Sequence, residues 1–173
     1  MIDSPLPLAG DAASLPSAVG APILVLALGT SLGGDAGVGA HVLRELESSV
    51  AIPGMRLLDQ GSRDYGVLES ISLAQTVIVV GSTADGNPPG TITEMTPRSL
   101  EDLPADLSME DNGLRDFFAA GETLGERPDV HLIRISIEAR AIPSVELNPN
   151  VAASVIWVAR AVQCLAYRLA AEN

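Results

Sequence analysis

The chain is short of aromatic residues, has one cysteine and few bases, and carries no long unbroken apolar run; each shortage excludes something. Aromatics make up 3% of its 173 residues while 47% are hydrophobic, so Leu, Val, Ile and Ala must fill the interior, as suits a parallel sheet buried on both faces. The single cysteine, Cys164, excludes an internal disulfide and a thiolate metal cluster. In its apolar C-terminal setting it reads as a packed small hydrophobe, not a nucleophile. Lys and Arg number 10 against 22 Asp and Glu, a formal charge of −12. That charge repels nucleic-acid phosphates and anionic bilayers, so neither nucleic acid nor a membrane is expected as a partner. The opening "MIDSPLPLAGDAASLPSAVGAP" lacks the basic start and apolar centre of a signal peptide. No run approaches the ~20 apolar residues that span a bilayer, and a cytoplasmic chain is expected. Residues 1–22 read as a flexible N-terminal tail and 23–173 as a single α/β domain, large enough to bury a sizeable core.

What is present alternates between buried strands and helical spacing. "ILVLAL" (Ile23 to Leu28) is a short apolar run stopped by glycine, as expected of a central strand. Val38, Val42, Leu43 and Leu46 then recur at helical intervals, predicting a helix to about Ser49. "MRLLDQ" reads as a second strand, "YGVLESISLA" as a short helix, "TVIVVG" as a third strand, "GTITEMT" as an edge strand and "VHLIRISIE" as a fifth. A helix is predicted near Leu114 to Leu124. A long final one runs from about Val151 to Ala171, with Val155, Val158, Val162, Leu165 and Leu169 on one stripe and Pro149 at its start. Trp157, in that helix, is assigned to the core. The prediction is a three-layer α/β sandwich on a mostly parallel five-stranded sheet flanked by helices, with a cleft where loops meet at the carboxyl ends of the strands.

The stretch "GTSLGGDAG" follows a strand and opens a helix, a place where backbone amides attract anions. It is neither G-x-G-x-x-G nor a P-loop, and Asp35 would repel a phosphate, so Asp35 reads as a helix-capping or first-turn acid. A flavin mononucleotide site would want more hydroxyls than Thr30 and Ser31 and aromatics near the later strand ends, and is a weak rival. His41 and His131 fall in regular elements and read as structural. Arg63 and Asp64 read as a solvated pair. No nucleophile elbow, zinc-protease helix or Cys/His cluster occurs.

The order of these pieces resembles the endopeptidases that mature [NiFe]-hydrogenases by trimming the C-terminus of the large subunit. The family's first loop, G-x-G-N-x-L-x-x-D-[DE]-x-x-G, corresponds to "ALGTSLGGDAGVG", and its second strand ends in an aspartate, as in "LLDQGS". V-D-A followed by P-G-T corresponds to "VVGSTADGNPPGT", S-x-H-x-x-G-L to "SMEDNGL", and I-x-P-x-S-x-E with its Leu-Ser/Thr-Pro to "ISIEARAIPSVELNP". The similarity runs from Ile23 to Leu169 and implies the phosphorylase/hydrolase-like fold of the hydrogenase maturation proteases.

In that family a carboxylate, an aspartate and a histidine approach one metal and read the nickel already placed in the substrate. Carried over, these positions are Ala36, Gly81 and Glu110, so two ligands are lost and the third changes from imidazole to carboxylate. Asp35 and Asp59 match two of the family's other aspartates, and Asp85, Glu110 and Asp111 are candidates to line the same cleft without making up a hard-cation site. The resemblance therefore implies a protein with no metal of its own, meeting nickel only in a substrate. It would be proteolytically inactive, with a [NiFe]-hydrogenase large subunit or its C-terminal segment as partner. The alternatives are an active endopeptidase using Asp35, Asp59 and Glu110 around the substrate's metal, and a small-molecule or flavin-binding module.

Overall fold

The computed structural model describes residues 22–29, 32–60, 67–104, 115, 116, 119, 127–139 and 145–172. Five strands form one sheet: β1 (Ile23–Ala27), β2 (Met55–Asp59), β3 (Thr76–Thr83), β4 (Ile92–Met95) and β5 (Asp129–Ser136), in the order β2-β1-β3-β5-β4. The β1 pairings with β2 and β3, and that of β3 with β5, are parallel, while β4 runs antiparallel along β5. All five residues of β1 are buried, which explains why it reads as an unbroken apolar run rather than an alternating one. The edge strands β2 and β4 are more exposed and more polar.

Helices α1 (Val38–Glu47) and α3 (Pro149–Glu172) cover one face, packing Val42, Val158 and Val162 on Val25, Ile78 and Ile133. On the other face α2 (Val67–Ser72) and the segment around Leu103 cover Leu24, Val77, Val79 and Leu132. The chain passes from β1 through α1 to β2, then back through α2 to β3 on the far side of β1. Because parallel crossovers keep one hand, that reversal puts α1 and α2 on opposite faces and opens a crevice between β1 and β3.

Four expectations are corrected. β3 does not stop at Gly81; its ladder with β5 continues to Thr83, because hydrogen bonding to a long neighbour outweighs the weak strand preference of glycine. Trp157 is exposed, and so is Cys164. The buried side of α3 is formed by Val151, Ser154, Val158, Val162, Leu165 and Ala166. Trp157 and Cys164 each precede a buried residue by one position, about 100° around the helix and off the stripe. Finally, α3, at 24 residues, is long and apolar enough by length and composition to cross a membrane, the one such helix among the described residues. Ser154, Arg160 and Gln163 interrupt it, so it shows no unbroken apolar run. Its stripe lies on the sheet.

Helix α1 sits unusually close to the strand ends because of one residue. A Cβ on Gly39 would lie 2.6 Å from the Leu28 carbonyl oxygen and 2.7 Å from that of Val80. Only hydrogen fits there, and this approach places the preceding loop directly over the crevice.

Candidate functional site

At the carboxyl end of β1, Ala27 is in register with Asp59, the last residue of β2, and with Val80 of β3, which runs on to Thr83. The Leu28 amide bonds the Val80 carbonyl at 2.8 Å, carrying the β1–β3 seam one step past the strand. The loop over this seam closes in a 3₁₀ turn, Gly34–Gly37, which runs straight into α1.

Asp35 lies in that turn, yet it does not cap its own helix. It is buried, and its Oδ1 accepts the Asn148 backbone N–H at 2.6 Å. Asn148 in turn caps α3: its Oδ1 accepts the Asn150 N–H at 2.9 Å and its carbonyl accepts the Ala152 N–H at 2.8 Å. Asp35 is therefore a strut between the first loop and the start of the last helix. A short bond between a carboxylate and a backbone N–H is among the stronger neutral-to-ion hydrogen bonds. The 85–90 turn is tied in at the same end. Gly90 (φ +89°) allows the Asn150 carbonyl to lie where a Cβ would otherwise stand, and its N–H bonds the Ser136 carbonyl at 2.8 Å.

The Ala36 backbone meets the end of β3 above the seam. Ser82, next to Gly81, places its Oγ 3.5 Å from the Ala36 carbonyl oxygen. Ala36 is exposed at the surface of the crevice. Gly81 is buried, and a Cβ there would stand 3.3 Å from the Leu28 Cβ. The two positions expected to carry metal ligands hold a methyl group and a hydrogen atom. Neither can donate a lone pair, so these two positions do not fit a nickel ion. Glu110 and Asp111 lie outside the described residues, as do Thr30, Ser31, Arg63, Asp64 and most of the predicted helix at Leu114 to Leu124. Among the described residues no group of three His, Cys, Asp or Glu could hold a metal.

The other candidates are placed as follows. Asp59 ends β2, on the far side of β1 from β3, about 10 Å from that strand. Asp85 is exposed and turned into its own loop: its Oδ1 accepts the Asn87 N–H at 3.1 Å, and its Oδ2 accepts the Asn87 side-chain amide at 2.8 Å and the Ser136 hydroxyl at 3.2 Å. Desolvation pushes the Asp85 carboxyl upward, but these bonds outweigh it and hold the group below the usual carboxylate value.

Neither histidine reaches the crevice. His131 pairs with Ile78, three residues before Gly81, its Nδ1 lying 3.8 Å from Glu94 and 3.5 Å from the Thr96 hydroxyl. His41 is held in α1 with its Nδ1 3.4 Å from Arg44. Burial, and then the Arg44 charge, lower its pKa from the usual 6.5. Trp157 and Tyr167 lie on α3, away from the strand ends, so the described crevice offers a flavin no aromatic ring.

The partnership missed by sequence reasoning is that of Asp35 with Asn148. Its one sequence signal is Asn-Pro at a helix start, which marks the cap but not the carboxylate 113 positions away that secures it.

No protein-family profile matches the chain. The hydrogenase expression/formation protein HupD of Rhodobacter capsulatus is 30% identical to it over 112 residues, 61% of this chain and 52% of that protein. The chain thus spans about half the length of the curated relative it matches. Among solved structures, the hydrogenase maturating endopeptidase HybD from E. coli superposes with a TM-score of 0.74 at 24% identity, over 84% of this chain and 92% of that one. The [NiFe] hydrogenase maturation protease HybD from Thermococcus kodakarensis gives 0.65 at 24%, over 83% and 98%. HycI from the same organism gives 0.66 at 20%, over 88% and 94%. With its strand order, crevice and first loop, the chain has the fold of the hydrogenase maturation proteases and resembles that family in sequence.

Proposed function

We propose that this chain is a hydrogenase maturation protease-like protein that does not cleave, and that it binds a [NiFe]-hydrogenase large subunit or its C-terminal segment during maturation. The observation that carries the reading is the contrast inside one loop. Asp35 is buried and bonded to the start of α3, whereas the next residue, Ala36, and Gly81 at the end of β3 have no side-chain donor atom, and the group that meets the Ala36 carbonyl is the Ser82 hydroxyl. A framework held this firmly keeps a shaped crevice for a peptide. Without side-chain donors at these two positions, that crevice has little with which to grip nickel or to polarise a scissile carbonyl through it.

On this reading the chain has no cofactor of its own. Nickel is met only as part of the partner, and the chain's residues act by shape: Gly39 brings α1 onto the strand ends, Asp35 fixes the loop, and Asp85 fixes the facing turn. Incubation with a nickel-loaded large-subunit precursor tests this. The expected result is a stable complex in which the precursor keeps its C-terminal peptide, read by size-exclusion chromatography and intact mass. Release of that peptide would instead favour an active endopeptidase in which Asp35, Asp59 and Glu110 surround the substrate's metal.

A further inference from the structure

The outer face of α3 differs in character from the rest of the chain. Ile156, Trp157 and Tyr167 are 41%, 60% and 52% exposed, and Trp157 is the only tryptophan present. Arg160 stacks over Trp157 with its guanidinium carbon 5.3 Å from the ring centroid, which holds that side chain in place. Arg168 follows two turns on, about 12 Å along the axis, and the exposed Cys164 lies between them. No Asp or Glu occurs in α3 before Glu172. Neither arginine has an ion-pair partner among the described residues. On a chain of formal charge −12, this is a stripe of two cations and three large apolar side chains without an acid.

Trp, Tyr and Arg are the residues that dominate protein–protein binding energy when an apolar partner group covers them. The charge selects the occupant. A second copy of this chain, docked through the same face, would bring two more arginines and no carboxylate. An anionic bilayer is an extended plane and would bring the remainder of this acidic chain against its charge, whereas an acidic patch on a folded polypeptide reaches only the α3 face. An acidic polypeptide surface meets both demands, since its carboxylates pair with Arg160 and Arg168 while an apolar residue between them covers Trp157.

We propose that the outer face of α3, from Ile156 to Arg168, docks an acidic surface of the partner polypeptide, separately from the crevice. Naming that partner as the hydrogenase large-subunit precursor rests on the function proposed above. These residues point away from the sheet, so their substitution leaves the core intact, which circular dichroism checks.

Wild-type protein, R160E/R168E and R160K/R168K are titrated with the nickel-loaded precursor at low and raised salt. Alkylation of Cys164 by a maleimide is followed by the intact mass of this chain. The expected result is binding that weakens with salt, falls at least ~10-fold on charge reversal and stays within about threefold on Lys replacement, with Cys164 protected in the complex. If the precursor binds wild type and R160E/R168E equally and Cys164 stays reactive, the docking face is wrong while the proposed function stands. If the precursor binds neither, the proposed function falls and the partner assignment with it. A blue shift of Trp157 emission on phosphatidylglycerol vesicles, or self-association that protects Cys164, would overturn the acidic-polypeptide assignment in favour of a lipid surface or a second copy.

Discussion

Asp35 and Ala36 are adjacent in the chain and opposite in circumstance. Asp35 is 7% exposed and joins two elements that are 113 residues apart; Ala36 faces the crevice with a methyl group and contributes its backbone carbonyl. One position carries the architecture of the loop and the other was expected to carry its chemistry. The difference teaches that a position next to a structural strut need carry none of the strut's load: the bond that spans the fold belongs to Asp35 alone.

The most severe way to break that comparison is to lift the loop off its support. Gly39→Leu sets a side chain against the Leu28 and Val80 carbonyls and is expected to cost at least ~4 kcal/mol, seen as loss of cooperative unfolding at moderate urea. Next comes the strut itself. Asp35→Ala strands the Asn148 N–H and removes a charge-assisted bond, for an expected loss of about 2–3 kcal/mol by denaturant titration. Ala36→Ser, one residue away, should stay within about 0.5 kcal/mol of wild type; equal losses at the two positions would abolish the distinction.

Restoring donors sharpens the comparison from the other side. Ala36→Glu with Gly81→Asp should raise Ni²⁺ affinity at least ~10-fold by calorimetry, while the Asp Cβ pressing on Leu28 costs about 1 kcal/mol of stability. No gain in affinity would mean that the crevice fails as a metal site for reasons beyond missing side chains.

The smallest effect concerns His41. Its pKa is lowered in the folded state, so the unfolded chain takes up its proton first as pH falls. Its contribution to stability is complete above the unfolded value of about 6.5 and is lost as pH drops through the folded pKa. His41→Gln should flatten the stability profile in that window, and the ring resonances of His41 should titrate below 6.5.

Much of the scaffold was legible before any coordinates. Ile23–Ala27 and Thr76–Thr83 are runs that only a doubly covered sheet can bury, and the 3.6-residue stripe of α3 identifies its inner side. The errors on α3 arose where hydrophobicity was read without angle: Trp157 and Cys164 are apolar, but they sit off the stripe. At the site, it is plain in the sequence that positions 36 and 81 carry no side-chain donor, while the expectation of metal ligands there came from the family resemblance alone. The destination of the Asp35 carboxylate was not legible, because a side chain two bonds long can satisfy its own loop or a distant helix equally well by local rules.

By itself, then, the sequence determined the alternation of strands and helices and the central position of β1 and β3, since these follow from periodicity and burial. Only the tertiary structure decided that Asp35 braces α3, that Asp85 serves its own turn and that an arginine-tryptophan stripe faces outward. Those outcomes depend on which groups the packed sheet brings within hydrogen-bonding reach, and hydrogen bonds act over ångströms in space, whatever the separation along the chain.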